Sequence, residues 1–203
     1  MKEVRHFVFD IGKVLIHYDP GLLYGRLIPD AEERKWFFEN VCTHEWNIEQ
    51  DRGRSWADAE AEAIAAHPAH EENIRSFRRH WREMVPHAYD DSVAIMLGLI
   101  DQGRDVTMLT NFAEDTFQEA KGYFDFLNRP RGVTVSGEIK LIKPDRAIYD
   151  LHARTFGLEP AATFFVDDTP VNVEGAKAAG WQAVLFTGAD KLKQDLAERG
   201  VDV

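Results

Sequence analysis

From residue 90 onward the chain alternates, and that alternation limits the fold more than any other feature. Helical periodicity over residues 92–102 gives way to a β-rich run over 105–109, then a helix over 113–126 and a short strand over 133–135. The beat continues with a helix over 145–156, a strand over 163–166, a helix over 171–179, a strand over 182–186 and a last helix over 191–199. Alternating β and α segments predict a parallel sheet, because a parallel connection needs a crossover long enough to hold a helix. Residues 4–9 add a first β-rich run, and Val14 to Ile16 a second short extended piece.

One stretch breaks this rhythm. Between Pro20 and Pro86 apolar residues recur at three- and four-residue spacing over 21–28, 31–41, 56–66 and 71–84, with no strand signal. The expected architecture is α/β: a Rossmann-like, doubly wound parallel sheet core with an inserted all-helical cap. The core takes residues 1–17 and 88–203, the cap 18–87. Within the cap, His67 and His70 have no further metal ligand nearby in sequence and read as a solvated turn.

A length of 203 residues with 44% hydrophobic content suits one core with such an insertion. The net charge of -11 disfavours nucleic acid and anionic membranes as general partners. No window approaches the roughly 18 apolar residues of a membrane span, and the first residues lack the long apolar stretch of a signal peptide. Cys42 is the single cysteine, so no intramolecular disulfide can form. A cytoplasmic monomer or homodimer is expected.

In doubly wound sheets, ligands bind beyond the carboxyl ends of the strands, so the residues at those ends matter most. HFVFDIGKVL runs into Asp10, VTMLTN into Thr110 and Asn111, and TFFVDDTP into Asp167 and Asp168; LIKPD brings Lys143 to the start of a helix. Each has a bland reading as a cap or turn residue. Together they bring three acids, a hydroxyl and an amine to one sheet edge. Three clustered carboxylates repel one another in a partly dry cleft, and hard oxygen ligands favour Mg²⁺, which keeps room for a substrate phosphate oxygen. Thr110 and Asn111 supply hydroxyl and N–H donors for such a phosphate, and Lys143 balances charge. Asp10 is then placed to attack phosphorus in line and form an aspartyl-phosphate.

These four segments, FVFDIGKVL, TMLTN, IKPDRAIY and FFVDDTPVNVEGA, resemble the motifs of the haloacid dehalogenase superfamily in their order. Within it the chain resembles the phosphatase-like branch with a helical cap after the first strand. The resemblance implies Asp10 as nucleophile and Mg²⁺ held by Asp10, the Gly12 carbonyl and Asp168, with Asp167 a ligand directly or through water. It implies Thr110 and Lys143 as holders of the phosphoryl group, and Asn172 as polar support for the metal site. The expected activity is Mg²⁺-dependent hydrolysis of a small phosphorylated metabolite, with a sugar phosphate as one candidate. The alternatives are a 2-haloacid dehalogenase, which gains nothing from three clustered acids, a phosphomutase, which leans harder on the acid/base missing at Gly12, and a catalytically weak phosphate-binding protein.

Gly12 departs from the pattern. Many phosphatases of this superfamily carry a second aspartate there, as acid and base, and glycine can replace only its backbone role. A leaving group that needs little protonation, such as a sugar-1-phosphate or acyl phosphate, tolerates that loss best. Lys13 reads as a solvent-facing turn lysine. CTHEWNIEQDRG, residues 42–53, resembles a cap loop facing the active site; Trp46 would stack on a sugar or base, Arg52 would grip an anionic group, and Gln50 is a third candidate.

Overall fold

The computed structural model describes residues 2–203. Five parallel strands form one sheet in the order β3-β2-β1-β4-β5, with β1 (His6–Phe9), β2 (Asp105–Thr110), β3 (Val133–Val135), β4 (Thr163–Asp167) and β5 (Gln182–Leu185). The crossovers are α6 (Asp90–Asp101) before β2, α7 (Glu114–Tyr123) before β3, α8 (Ser136–Ile139) and α9 (Arg146–Phe156) before β4, and α10 (Pro170–Ala178) before β5; α11 (Ala189–Ala197) closes the chain. Between β1 and α6 come α1 (Pro20–Leu27), α2 (Ala31–Asn40), α3 (His44–Asp51), α4 (Trp56–Ala66) and α5 (Glu71–Arg79), with no sheet strand among them. The α/β class, the parallel sheet and the helical insertion are as the sequence predicts.

Successive side chains on a strand point to opposite faces, and both faces here are covered. Phe7, Phe9, Phe164 and Val166 pack with α6, α7, α11 and the inserted helices. Val8, Leu109 and Phe165 pack with Ile148 and Tyr149 of α9 and Val173 and Ala176 of α10. This is why the central strands carry apolar residues at consecutive positions. The register pairs Phe9 with Met108 and with Val166. Asp10 and Asp167 are therefore the next residues on neighbouring strands, level with each other and on the α9–α10 face.

The insertion leaves and rejoins the core through paired segments. Ile16 bridges Ala88 antiparallel, His17 N–H donates to His87 O at 2.9 Å, and Tyr89 N–H donates to Leu15 O at 2.8 Å. The extended piece expected over Val14 to Ile16 is not formed: residues 13–15 make a turn, because the N–H groups of Val14, Leu15 and Ile16 all fold back on Ile11 O, and of the three only Ile16 is bridged in the stem. Two further differences are local. The helix expected over 71–84 ends at Arg79 and continues as a single 3-10 turn, Trp81–Met84. His67 and His70 pack around Trp36 at the start of α5, with ring centroids 6.1 and 5.4 Å away. Among the described residues no helix is long and apolar enough to cross a membrane.

Beneath the α9–α10 face, buried His152 links two strands: Thr107 lies 2.9 Å from Nε2 and Thr134 2.8 Å from Nδ1. Burial, assisted by Arg131, pushes the imidazole down to about 3. The folded protein holds it neutral, while the unfolded chain protonates it below its ordinary value near 6.5. The stability this linkage supplies is complete above pH 6.5 and is lost as pH falls from there toward 3. Going from pH 7 to pH 5 should cost about 2 kcal/mol at this residue. Urea unfolding of wild type and His152→Gln at both values should show the steeper acid loss in wild type; parallel losses would refute the assignment.

Candidate active site

The loop that follows β1 sets Asp10 in place. Its N–H donates to Val166 O at 3.0 Å, continuing the ladder to β4. The chain then turns tightly: Leu15 and Ile16 N–H both donate to Ile11 O, and Lys13 N–H to Ile16 O. Lys13 takes a left-handed conformation at φ 56° and is exposed at the rim. Gly12 does not, and a Cβ there would meet nothing within 4 Å. The turn therefore does not require glycine at position 12. What Gly12 leaves is space.

Lys143 holds the centre. It is 1% exposed, and its Nζ lies 2.8 Å from Asp10 Oδ1, 2.6 Å from Asp167 Oδ2 and 3.1 Å from Leu109 O. An ammonium has three donors, and all three are engaged. Burial opposes its charge, but the two carboxylates outweigh that and hold its proton more tightly than usual. Asn111 fixes the lysine's backbone from both sides: Nδ2 donates to Lys143 O at 3.0 Å, and Lys143 N–H donates to Oδ1 at 2.8 Å. The Asn111 side-chain amide is thus committed to Lys143, which leaves only its backbone N–H for the phosphate role expected from the sequence.

The two adjacent acids differ. Asp167 is fully buried and saturated: it accepts from Lys143, from Thr169 N–H at 2.8 Å, and from Asn172 Nδ2 at 3.0 and 3.2 Å. Asn172 is thereby a partner of Asp167 and is itself buried. Asp168 is half-buried, lines the cleft and accepts at Oδ1 from the Thr169 hydroxyl at 3.2 Å. Carboxylate oxygens of Asp10, Asp167 and Asp168 lie within 4.8 Å of one another. Burial raises the proton affinity of Asp10 and of Asp168, and their acidic neighbours add to it, against the pull of Lys143. Three clustered carboxylates match the donor chemistry of a hard divalent cation such as Mg²⁺. Of the three, Asp10 and Asp168 line the open cleft and Asp167 does not.

Thr110 ends β2 at the same edge. Its hydroxyl is buried and has no hydrogen-bond partner, one of three such side-chain atoms among the described residues. Unsatisfied buried polar groups are costly, so a buried orphan at a strand end marks a place where an acceptor is missing.

The cap side corrects the sequence reading. Residues 44–51 are not a loop but α3, capped by Thr43, whose hydroxyl accepts from Trp46 N–H at 3.0 Å. At helical spacing His44, Asn47, Ile48 and Asp51 share one face, and all four line the cleft of about 270 Å³ above Asp10. Trp46 and Gln50 fall on the other face. Trp46 packs on Trp56 and Phe77 and donates from Nε1 to Ala59 O at 3.2 Å; Gln50 is bound by Trp46 O and Arg54. Arg52, just past the helix, pairs with Glu49 at 3.4 Å and with Asp145 at 3.5 Å. None of these three lines the cleft: Trp46 and Gln50 pack within the inserted helices and Arg52 is held in surface ion pairs. The Thr43 cap and Gly53, at φ 96° two residues past the helix end, were the signals that could have identified α3 from sequence.

Asp51 is the site residue that sequence inspection overlooked. It lines both the cleft and an adjoining cavity of about 90 Å³, together with Gly12, Tyr18, Asn47 and Asn111. Burial pushes its carboxyl up to about 7, against the Ala113 amide and Lys143. Burial, then Asp51, raises the proton affinity of the Tyr18 phenol.

Comparison with known proteins adds the following. A family model described as haloacid dehalogenase-like hydrolase matches residues 4–180. Flavin mononucleotide hydrolase 1 of Arabidopsis thaliana, a chloroplast protein, is 38% identical over 61 residues. That match covers 30% of this chain and only 25% of the plant protein. A HAD family enzyme of Bacteroides thetaiotaomicron, in complex with magnesium and inorganic phosphate, superposes with a TM-score of 0.69 at 19% identity, over 90% of this chain and 93% of that one. The L-2-haloacid dehalogenase of Xanthobacter autotrophicus, with chloropropionic acid covalently bound, gives 0.65 at 16% identity, over 96% and 83%. At these identities the two structures speak for the fold.

Removing Lys143 should leave two carboxylates buried side by side. Breaking a buried ion pair from one side costs about 3–5 kcal/mol. Lys143→Met is expected to lose that much in urea unfolding at neutral pH, and adding Asp167→Asn should return part of it. Additive losses would contradict the central role of the triad.

Proposed function

The chain belongs to the haloacid dehalogenase-like hydrolases, and on that premise we propose that it is a Mg²⁺-dependent phosphatase acting on a small phosphorylated metabolite through an aspartyl-phosphate on Asp10. The observation that carries this reading is the Lys143 ammonium held between Asp10 and Asp167 beside a third acid, Asp168. Lys143 binds Asp10 Oδ1 and so fixes the carboxylate plane, leaving Oδ2 to attack phosphorus in line. Asp10, the Gly12 carbonyl and Asp168 would hold the cation, with Asp167 supporting from behind; bound there, Mg²⁺ neutralises phosphoryl charge and favours the ionised form of Asp10. The orphaned Thr110 hydroxyl donates to a phosphoryl oxygen. Lys143 stabilises the same charge at short range, and Asn111 keeps the lysine in place.

In this reading residues 18–87 form the cap over a core of residues 1–17 and 88–203, and the cleft face of α3 meets the substrate. The local similarity to a flavin mononucleotide hydrolase supports phosphate-ester chemistry over carbon–halogen chemistry. So does the carboxylate cluster, which repels an anionic haloacid unless a cation is present. A single buried cysteine and an acidic surface suit a cytoplasmic enzyme free of nucleic acid and membrane.

The test is inorganic phosphate release from a panel of alkyl, sugar and nucleotide phosphates, with Mg²⁺ and with chelator. Release that requires Mg²⁺ and falls at least about 10³-fold in Asp10→Asn is expected, since the nucleophile has no substitute. Chelator-insensitive release, or halide release from 2-haloacids instead, would overturn the reading.

A further inference from the structure

An alkyl phosphate cannot be cleaved quickly unless its leaving oxygen gains a proton, and position 12 has no side chain to give one. The groups lining the cleft narrow the choice of donor. Asp10 is the nucleophile and Asp168 belongs to the carboxylate cluster. Lys143 has all three N–H groups engaged by Asp10, Asp167 and Leu109. Lys13 and His44 are exposed at the rim, and the Tyr18 phenol binds its proton more tightly than usual. Asp51 remains. It is partly buried, sits on the cleft face of α3, and lines both the cleft with Asp10 and the smaller cavity with Gly12. The space that a Gly12 side chain would occupy is open.

We propose that Asp51, reaching down from the inserted helices, is the general acid and base of this enzyme. The inference rests on the phosphatase reading above. In the first step an Asp10 carboxylate oxygen bonds to phosphorus, the bond from phosphorus to the leaving oxygen breaks, and its electron pair takes the proton of the Asp51 carboxyl. In the second step the Asp51 carboxylate takes a proton from water as the water oxygen bonds to phosphorus. The bond to Asp10 breaks, its pair returns to the carboxylate, hydrogen phosphate departs, and Asp51 is again protonated. A carboxyl pushed up to about 7 exchanges its proton readily in both directions near neutral pH. The lost group at position 12 is then replaced in space rather than in sequence, and the substrate range widens beyond esters with easy leaving groups.

The experiment compares kcat/KM for two substrates in wild type and Asp51→Asn: the best alkyl phosphate of the panel and dinitrophenyl phosphate, whose leaving group needs no proton. For both, kcat/KM reports only transfer to Asp10. Asn matches the protonated carboxyl in shape, and the unfolding midpoint is measured alongside; if it falls, Asp51→Ser carries the same comparison. The expected result is a loss of about 10² to 10⁴-fold on the alkyl phosphate, the usual range for general acid catalysis, and less than about tenfold on the aryl ester. An unchanged alkyl rate, or equal losses on both substrates in a folded variant, would overturn the role of Asp51 while leaving the phosphatase standing. No phosphate release by wild type from any ester would overturn the phosphatase itself and the role of Asp51 with it.

Discussion

An ammonium buried between two carboxylates is costly to assemble, and most of this molecule is arranged around that cost. Lys143 lies 2.8 Å from Asp10 and 2.6 Å from Asp167 at the ends of covered strands, and taking any one of the three away leaves a buried charge without its partner. The parallel register brings the two acids level. The segment after α8 carries the lysine beneath them, and Asn111, Asn172 and Thr169 satisfy what remains of its backbone and of Asp167. The result is a rigid, fully bonded floor. Asp10, Asp168 and the Thr110 hydroxyl keep unused capacity, and all three stand at the same sheet edge. Such division between saturated support and unsaturated reactive groups is what preorganised electrostatic catalysis requires.

The inserted helices form the roof. They are tied to the core not only at their stem but also across the top: Arg78 pairs with Asp115 at 2.8 Å and Glu119 at 3.0 Å, and Trp56 Nε1 donates to Asp115 at 3.0 Å. These contacts set α3 over the cleft with four residues facing down. Exposed ion pairs are individually weak, so most of the placement comes from apolar packing continuous with the core, through Trp46, Trp56 and Phe77. A roof built this way presents one face of α3 to the cleft and packs the other within the inserted helices.

Much of this was legible in the sequence, for a physical reason. A parallel sheet buried on both faces writes itself as short apolar runs between helical ones, and its functional residues sit at the strand ends by topology. Asp10, Thr110, Lys143, Asp167 and Asp168 could be picked out on that ground, and the structure brings all five to one edge. What could not be read was how each is bonded. That Lys143 spends all its donors on protein, and that Asn111 grips its backbone, depends on three dimensions. The cap misled more. Residues 42–53 resemble a loop in sequence, and on a loop the large and charged side chains, Trp46 and Arg52, are the ones that stand out. Once Thr43 caps a helix there, the 3.6-residue period turns Trp46 and Gln50 away and Asp51 inward. Gly12 shows the converse. Its missing side chain is obvious in sequence, but only the structure shows that the vacant space is open and faced by a carboxylate from another element.

The central claim is that the carboxylate held by Lys143 becomes covalently phosphorylated, and rapid acid quench followed by peptide mass spectrometry tests it most directly. With Mg²⁺ and the best ester, the peptide carrying Asp10 should gain the mass of one phosphoryl group within the first turnover and lose it as substrate is exhausted. No other peptide should change. Phosphate release with Asp10 unmodified throughout, or the phosphoryl group found on a different residue, would contradict the account.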